Sequence, residues 1–210
     1  MQKALSYFSE DGAEEIFFDI DMSHEDYFAT NLAQSLKKIT SIDQGIFIDL
    51  GSGPGNSLYA FNKEFRFEKL IAVDGAKNML DFIEQKTIKY LATQVPTETL
   101  LVEFESDPLP LPNDIASIVN ATAIVSYLSD PYPLLDEAVR VLKKGGFFTL
   151  TIELGSKREA LPLGANYVEH FLHSHEEFHC WMRQHNLSVV QGEEKIIVGG
   201  IKTKLLILQK

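Results

Sequence analysis

The stretch Ile46-Phe47-Ile48-Asp49-Leu50-Gly51-Ser52-Gly53-Pro54-Gly55 constrains the fold more than any other part of the chain. An apolar run with one acid leads into three glycines at alternate positions. That pattern is a buried strand feeding a loop whose backbone must come close to a ligand. Glycine is needed where a Cβ would clash or where φ must be positive. In an open α/β sheet, ligands sit beyond the carboxyl ends of the strands, where such a loop lies.

From Ile46 onward, strand and helix patterns alternate. Ile46–Leu50, Leu70–Asp74, Leu100–Phe104, Ile115–Ala121 and Phe147–Ile152 read as strands. Ser57–Asn62, Asn78–Leu91 and Pro131–Leu142 read as helices, the last stopped by Lys143-Lys144-Gly145-Gly146. Near-continuous apolar strands separated by helices imply a parallel sheet covered on both faces. The end of the chain differs. After a helix over Ser174–His185, β-rich runs flank Gly199-Gly200, which is a hairpin signal. The expected fold is α/β, a Rossmann-like doubly wound seven-stranded sheet, mostly parallel, with a C-terminal antiparallel edge hairpin. Leu154–Phe171 reads as an irregular excursion.

Residues 1–44 read as a helical arm or lid, and 45–210 as the binding domain that packs with it. Within the arm, Ser23 and Asp26 resemble a capping box, and Phe28, Leu32, Leu36 and Ile39 recur at helical spacing. Ile16–Ile20 is apolar but ambiguous, a cap over a cleft or a packed arm.

A chain of 210 residues, 45% apolar, suits one sizeable domain with a small appendage. The net charge of -11 gives no support for a nucleic-acid partner, which would need a basic face. Cys180 is the single cysteine, so no intrachain disulfide is possible. The N-terminus lacks a signal-type apolar run, and no run is long enough for a membrane span. These features lead to the expectation of a cytoplasmic protein with no membrane partner.

The glycine spacing bears on the ligand. A dinucleotide loop wants G-x-G-x-x-G. Here the third glycine, Gly55, comes one residue early, and Asn56 stands where the dinucleotide glycine would be. This argues against a nicotinamide oxidoreductase. Asp49 just before the loop is poorly placed for a pyrophosphate but suits a ligand with an ammonium group. Both facts favour S-adenosylmethionine, whose amino-acid end is zwitterionic and whose sulfonium is cationic.

With these residues the chain resembles the class I S-adenosylmethionine-dependent methyltransferases, especially their small-molecule branch. Asp49-Leu50-Gly51-Ser52-Gly53-Pro54-Gly55 is similar to the family's first motif, and Leu70–Asp74 to its second strand with a terminal acid. The resemblance implies that Asp49, Gly51, Ser52, Gly53 and Gly55 line the cofactor's amino-acid end. It also implies that Asp74 and Gly75 hold the ribose, and that Met79 lies against the adenine. Phe104-Glu105-Ser106-Asp107-Pro108-Leu109-Pro110 is similar to the run after the family's third strand. It implies Glu105 as acceptor for the adenine amino group, with Asp107 the competing choice, and the Ser106 backbone N–H facing the ring. Ile118–Ala121, with Asn120, resembles the fourth motif.

The acceptor side departs from the commonest pattern. No Asn/Asp-Pro-Pro-aromatic run follows Asn120, and Asp130-Pro131-Tyr132-Pro133 reads as a helix start. Cys180, between Phe178 and Trp181, reads as a packing residue. His175-Glu176-Glu177-Phe178-His179 matches H-E-x-x-H in form, but Ser174 and Glu177 make a capping box and Phe178, Trp181 and Met182 a buried stripe. No metal site is expected. Relatives often carry a His-His pair where this chain has Ser126-Tyr127. Tyr127, His24 and His170 are the available bases, and none is singled out. Methyl transfer to an O or N of a small-molecule acceptor is the expected function. A cofactor-binding regulator or partner subunit of the same fold is the alternative.

Overall fold

The computed structural model describes residues 9–10, 12–14, 28–157, 159–162, 169–196 and 202–210. Ile16–Ile20, the Ser23–Asp26 capping box, His24 and the Gly199-Gly200 turn lie outside the described residues.

Helix α1 (Phe28–Ile39) carries Leu32 and Leu36 on a buried face, as its spacing predicts. Strand β1 (Ile46–Leu50) then leads through the glycine loop into α2 (Asn56–Glu64). β2 (Lys69–Asp74) precedes α3 (Lys77–Gln85), and a 3-10 turn over Thr87–Tyr90 follows. β3 (Thr97–Leu101) and β4 (Ala116–Ala121) flank a long connection. A second 3-10 turn (Val125–Tyr127) leads to α4 (Tyr132–Val141) and the long β5 (Leu142–Gly155). β6 (Glu159–Pro162), β7 (Glu169–Ser174), α5 (His175–Gln184), β8 (Ser188–Ile196) and β9 (Lys202–Gln209) complete the order.

β3, β2, β1, β4 and β5 lie side by side and parallel. β9 runs antiparallel to both β5 and β8, which is the expected edge hairpin. The strand order reverses between β1 and β4, because β1 leads outward to β2 and β3 while β4 leads outward to β5. A crevice at such a point is where open α/β sheets take ligands.

Among the described residues the sheet has nine strands rather than seven. The extra two come from the segment read as irregular. β6 and β7 pair with each other, and β7 pairs with the end of β5 at Leu154↔His173. Gly155 and Pro162 flagged a loop there, but β5 runs past the end of β4 and leaves an unpaired edge that β7 fills.

The third strand is also earlier than expected. β2 fixes the register of β3 from Leu70↔Thr97 to Asp74↔Leu101, so Phe104 falls in the loop beyond it. The half-buried Thr97-Glu98-Thr99 lacks the apolar run that marks a central strand.

Each face of the sheet has its own core. Phe47 stacks on Phe61 at 4.6 Å and on Phe67 at 5.1 Å, beneath α1, α2 and α3. On the other face Ile48, Leu50, Phe148 and Leu150 pack against α4 and α5. Trp181 of α5 donates its indole N–H to Asp136 of α4 at 2.7 Å. Cys180 is exposed, which corrects the packing assignment. It sits two residues from Phe178, about 200° round the helix, so it faces away from the stripe that includes Trp181 and Met182. Among the described residues, no helix is long and apolar enough to cross a membrane.

Candidate functional site

The glycine loop is stapled to the end of β2. The N–H groups of Gly51 and Ser52 donate to the Val73 carbonyl at 2.8 and 3.0 Å. Gly51, Gly53 and Gly55 all have positive φ, at 68°, 50° and 94°. Their surroundings differ. A Cβ on Gly51 would meet the Ile124 side chain at 2.6 Å, and one on Gly55 would meet Thr87 at 2.7 Å. A Cβ on Gly53 would meet nothing within 4 Å. Two of the three glycines therefore serve close packing within the protein, and Gly53 alone opens the loop outward.

Asp74 joins this loop to the next one. Its Oδ2 accepts from Gly53 N–H and its Oδ1 from Ala76 N–H, both at 2.8 Å. The Gly75 N–H lies near enough to favour the charged form as well. Each carboxylate oxygen has two lone pairs, so capacity for further donors remains. Burial raises the Asp74 carboxyl above its ordinary range, against the pull of these backbone bonds.

Asp49 is 1% exposed on β1. Its register partner on β4 is Asn120, whose Nδ2 donates to Asp49 Oδ1 at 2.8 Å. Asn120 Oδ1 in turn accepts from Thr122 and Thr149, each at 2.8 Å. Asp49 Oδ2 is buried without a partner among the described residues, and so is Ser52 Oγ. Burial pushes the Asp49 carboxyl up to about 7, with Asn120 pulling it down and the negative Asp74 adding a smaller push up.

The remaining predicted residues lie to either side. Met79 is buried on α3, and Gly75 precedes that helix at partial exposure. Glu105 and Ser106 fall on an exposed turn after β3, closed by Ser106 N–H to the Glu103 carbonyl at 3.0 Å. With Asp107 they line a cleft of about 270 Å³ against Pro133 and Asp136 at the start of α4. The structure thus forms two hydrogen-bonded sets on neighbouring strands, Asp49 with Asn120 and the glycine loop with Asp74, while Glu105 and Ser106 stand on a separate wall. Tyr127 packs against His170 with ring centres 4.4 Å apart.

The sequence reading missed Thr149, Thr151 and Glu153 on β5. A signal was present: polar residues at every second position of an apolar strand mark one face. The H-E-x-x-H stretch forms the first turns of α5, with Ser174 Oγ accepting from Glu177 N–H as the capping box predicts.

A family profile described as "Methyltransferase domain" matches residues 48–150. Over residues 48–150 the chain is similar to that methyltransferase family, and its fold is that of solved S-adenosylmethionine-dependent methyltransferases. The methyltransferase fold extends over nearly the whole chain. A Leishmania major S-adenosylmethionine-dependent methyltransferase aligns over 99% of this chain and 82% of its own, at 14% identity and a TM-score of 0.68. One from Aquifex aeolicus aligns over 94% and 98%, at 18% identity and 0.63. A Haloferax volcanii structure, a complex with the methyltransferase activator Trm112, aligns over 98% of both chains at 18% identity and 0.67. No curated protein matches the sequence.

The family's cofactor, S-adenosylmethionine, fits the residues present. Asp49 Oδ2 and Ser52 Oγ are buried polar atoms that call for donors and acceptors from outside the described chain. Gly53, in the same loop as Ser52, faces open space. An anion-capable carboxyl beside that opening suits an ammonium and a sulfonium.

Proposed function

We propose that this chain transfers a methyl group to an O or N of a small-molecule acceptor. The cofactor would supply an electrophilic methyl on a cationic sulfur. The observation that carries the reading is the buried, half-paired Asp49 at the strand-order reversal, beside a glycine loop held open at Gly53. In this reading Asp49, Gly51, Ser52, Gly53 and Gly55 hold the amino-acid end. Asn120 fixes the Asp49 carboxylate. Asp74 and Gly75 bind the ribose, while Met79, Glu105 and Ser106 border the adenine. Residues 1–44 would close over the acceptor, forming one compact cytoplasmic unit with 45–210. Rate gain would come mainly from holding the nucleophile in line with the methyl carbon.

The test has two steps. Calorimetry with S-adenosylmethionine and with NAD asks which is bound. Stabilisation by NAD alone would refute the cofactor reading. Transfer of a tritiated methyl group to acceptor panels then asks for turnover.

A second reading keeps the fold and the cofactor without catalysis, as a regulator or partner subunit. The similarity to a chain from a complex of a methyltransferase with its activator is compatible with a partner role. So is the edge of the sheet at β3, which no other described strand covers and where Leu101 is 60% exposed. Tight cofactor binding with no turnover on any acceptor class would favour this second reading.

A further inference from the structure

The polar row that starts at Asp49 and Asn120 continues along β5. Thr149, Thr151 and Glu153 alternate along the strand and so project from one face. Thr149 Oγ1 donates to Asn120 Oδ1 at 2.8 Å, and Thr151 Oγ1 accepts from Ala123 N–H at 2.7 Å. Glu153 Oε1 accepts from Thr203 Oγ1 at 2.7 Å, across the β5–β9 register, and the Ser126 hydroxyl lies near enough to favour the charged carboxylate. At ~3.3 Å per residue, Glu153 lies about 13 Å beyond Thr149. The last β4–β5 pair is Ala121↔Leu150, so Glu153 stands past the end of β4, where β7 begins to take its place.

Glu153 is 4% exposed, and its Oε2 is buried with no partner among the described residues. Ser126 links it to the next residue, Tyr127, whose ring meets that of His170. His170 Nδ1 is likewise buried and unpartnered among the described residues. A half-paired buried carboxyl is costly, and an apolar residue would suit the strand better. Function is the remaining reason to keep it.

We infer that Glu153 is the acceptor-side carboxylate of this site, and that it binds and deprotonates an amine walled by Tyr127 and His170. This rests on the methyl-transfer reading above. The amine enters as an ammonium and gives one proton to the Glu153 carboxylate. The freed nitrogen lone pair forms the N–C bond as the S–C bond breaks, with that electron pair staying on sulfur. The positive charge leaves on the methylated ammonium, and Glu153 returns its proton to water. Burial raises the Glu153 carboxyl, which makes its carboxylate a better proton acceptor than an exposed one. A buried unpaired carboxylate oxygen favours a cationic donor over a hydroxyl, because only the cation also neutralises the buried charge. Burial lowers the His170 imidazole, so the ring stays neutral and does not repel a cation.

The experiment titrates propylamine, benzylamine, phenethylamine and histamine, with the alcohols of the same skeletons, into protein saturated with S-adenosylhomocysteine. Tritiated methyl transfer to the same compounds is measured in parallel. At least one amine should bind and be methylated while its alcohol does neither. Glu153→Gln should leave S-adenosylhomocysteine affinity within two-fold, weaken the amine at least ten-fold and cut turnover at least 100-fold. Should that variant fail to fold, Tyr127→Leu must weaken the amine at least five-fold. Preference for the alcohols, no amine bound by protein that holds S-adenosylhomocysteine, or variants with unchanged amine affinity would each overturn the inference. Failure to bind S-adenosylhomocysteine would instead show that the cofactor reading itself is wrong, and this inference would fall with it.

Discussion

Asp49 and Asn120 face each other across the β1–β4 seam, joined by a 2.8 Å hydrogen bond at the point where strand order reverses. One amide thus holds a buried carboxyl in place and leaves its second oxygen for a ligand. The same amide's oxygen is fixed by two threonine hydroxyls, which sets the direction in which Nδ2 points.

Burial of Asp49, only partly offset by Asn120, makes ligand-free stability fall as pH rises. Asp49 titrates near 7 when folded, and an unfolded aspartate near ~3.9. Between those values the native state holds the extra proton, so stability present below about pH 4 is lost progressively up to pH 7. The effect is at most on the order of 4 kcal/mol, at about 1.4 kcal/mol per unit. Asp74 and Glu153 are raised too and add to the slope. The check is urea denaturation at pH 5 and pH 8 for wild type and Asp49→Asn. Equal pH dependence in the two proteins would remove Asp49 as the cause. A cationic cofactor should also expel the proton. Binding at pH 6 should therefore release protons in wild type and fewer in the variant, as read by calorimetry in two buffers.

Gly51→Ala and Gly53→Ala should fail in different ways. Both force a side chain into positive φ, at about 1–2 kcal/mol each. Gly51→Ala adds a 2.6 Å clash with Ile124 in the packed interior, so its loss of stability should be clearly the larger. Gly53→Ala should fold but bind S-adenosylmethionine at least ten-fold more weakly, since its methyl enters the open approach. Denaturation midpoints and calorimetric affinities read both. A Gly53→Ala protein with wild-type affinity would show that the loop opens elsewhere.

Cys180 should react with a thiol reagent in the native protein, without denaturant, because it lies on the exposed side of α5. Cys180→Ser should change stability by less than about 0.5 kcal/mol, as for surface substitutions generally. A thiol that reacts only after unfolding would restore the packing role.

The elements that could be read from sequence were those whose residues are decided locally. β1 and its glycine loop, the capping box of α5 and the Phe178–Trp181–Met182 stripe follow from short-range chemistry. β3 and the β6–β7 hairpin did not, because edge strands are set by the register of their neighbours. Asp49 and Asn120 were each legible as site residues, yet their pairing depends on two strands 71 residues apart coming side by side. The polar face of β5 was hidden for a similar reason. Thr149 gains meaning only from its pairing with Asn120, and Thr151 and Glu153 only once β4 ends at Ala121.

Asp74 carries two duties, and its variants should separate them. It holds Gly53 N–H and Ala76 N–H at 2.8 Å each, and in the proposed site it also takes the ribose hydroxyls. Asp74→Ala removes a charged acceptor from two backbone donors, at about 1–3 kcal/mol for each donor left unpaired. It should lower stability and weaken S-adenosylmethionine by more than ten-fold. Asp74→Asn keeps one carbonyl oxygen and so one of the two backbone bonds. It should recover most of the stability while cofactor affinity stays at least three-fold down, since the amide cannot accept at both positions. Calorimetry beside urea denaturation measures the two effects on the same samples. A folded Asp74→Ala protein that binds the cofactor as wild type does would leave Asp74 as a staple between two loops and nothing more.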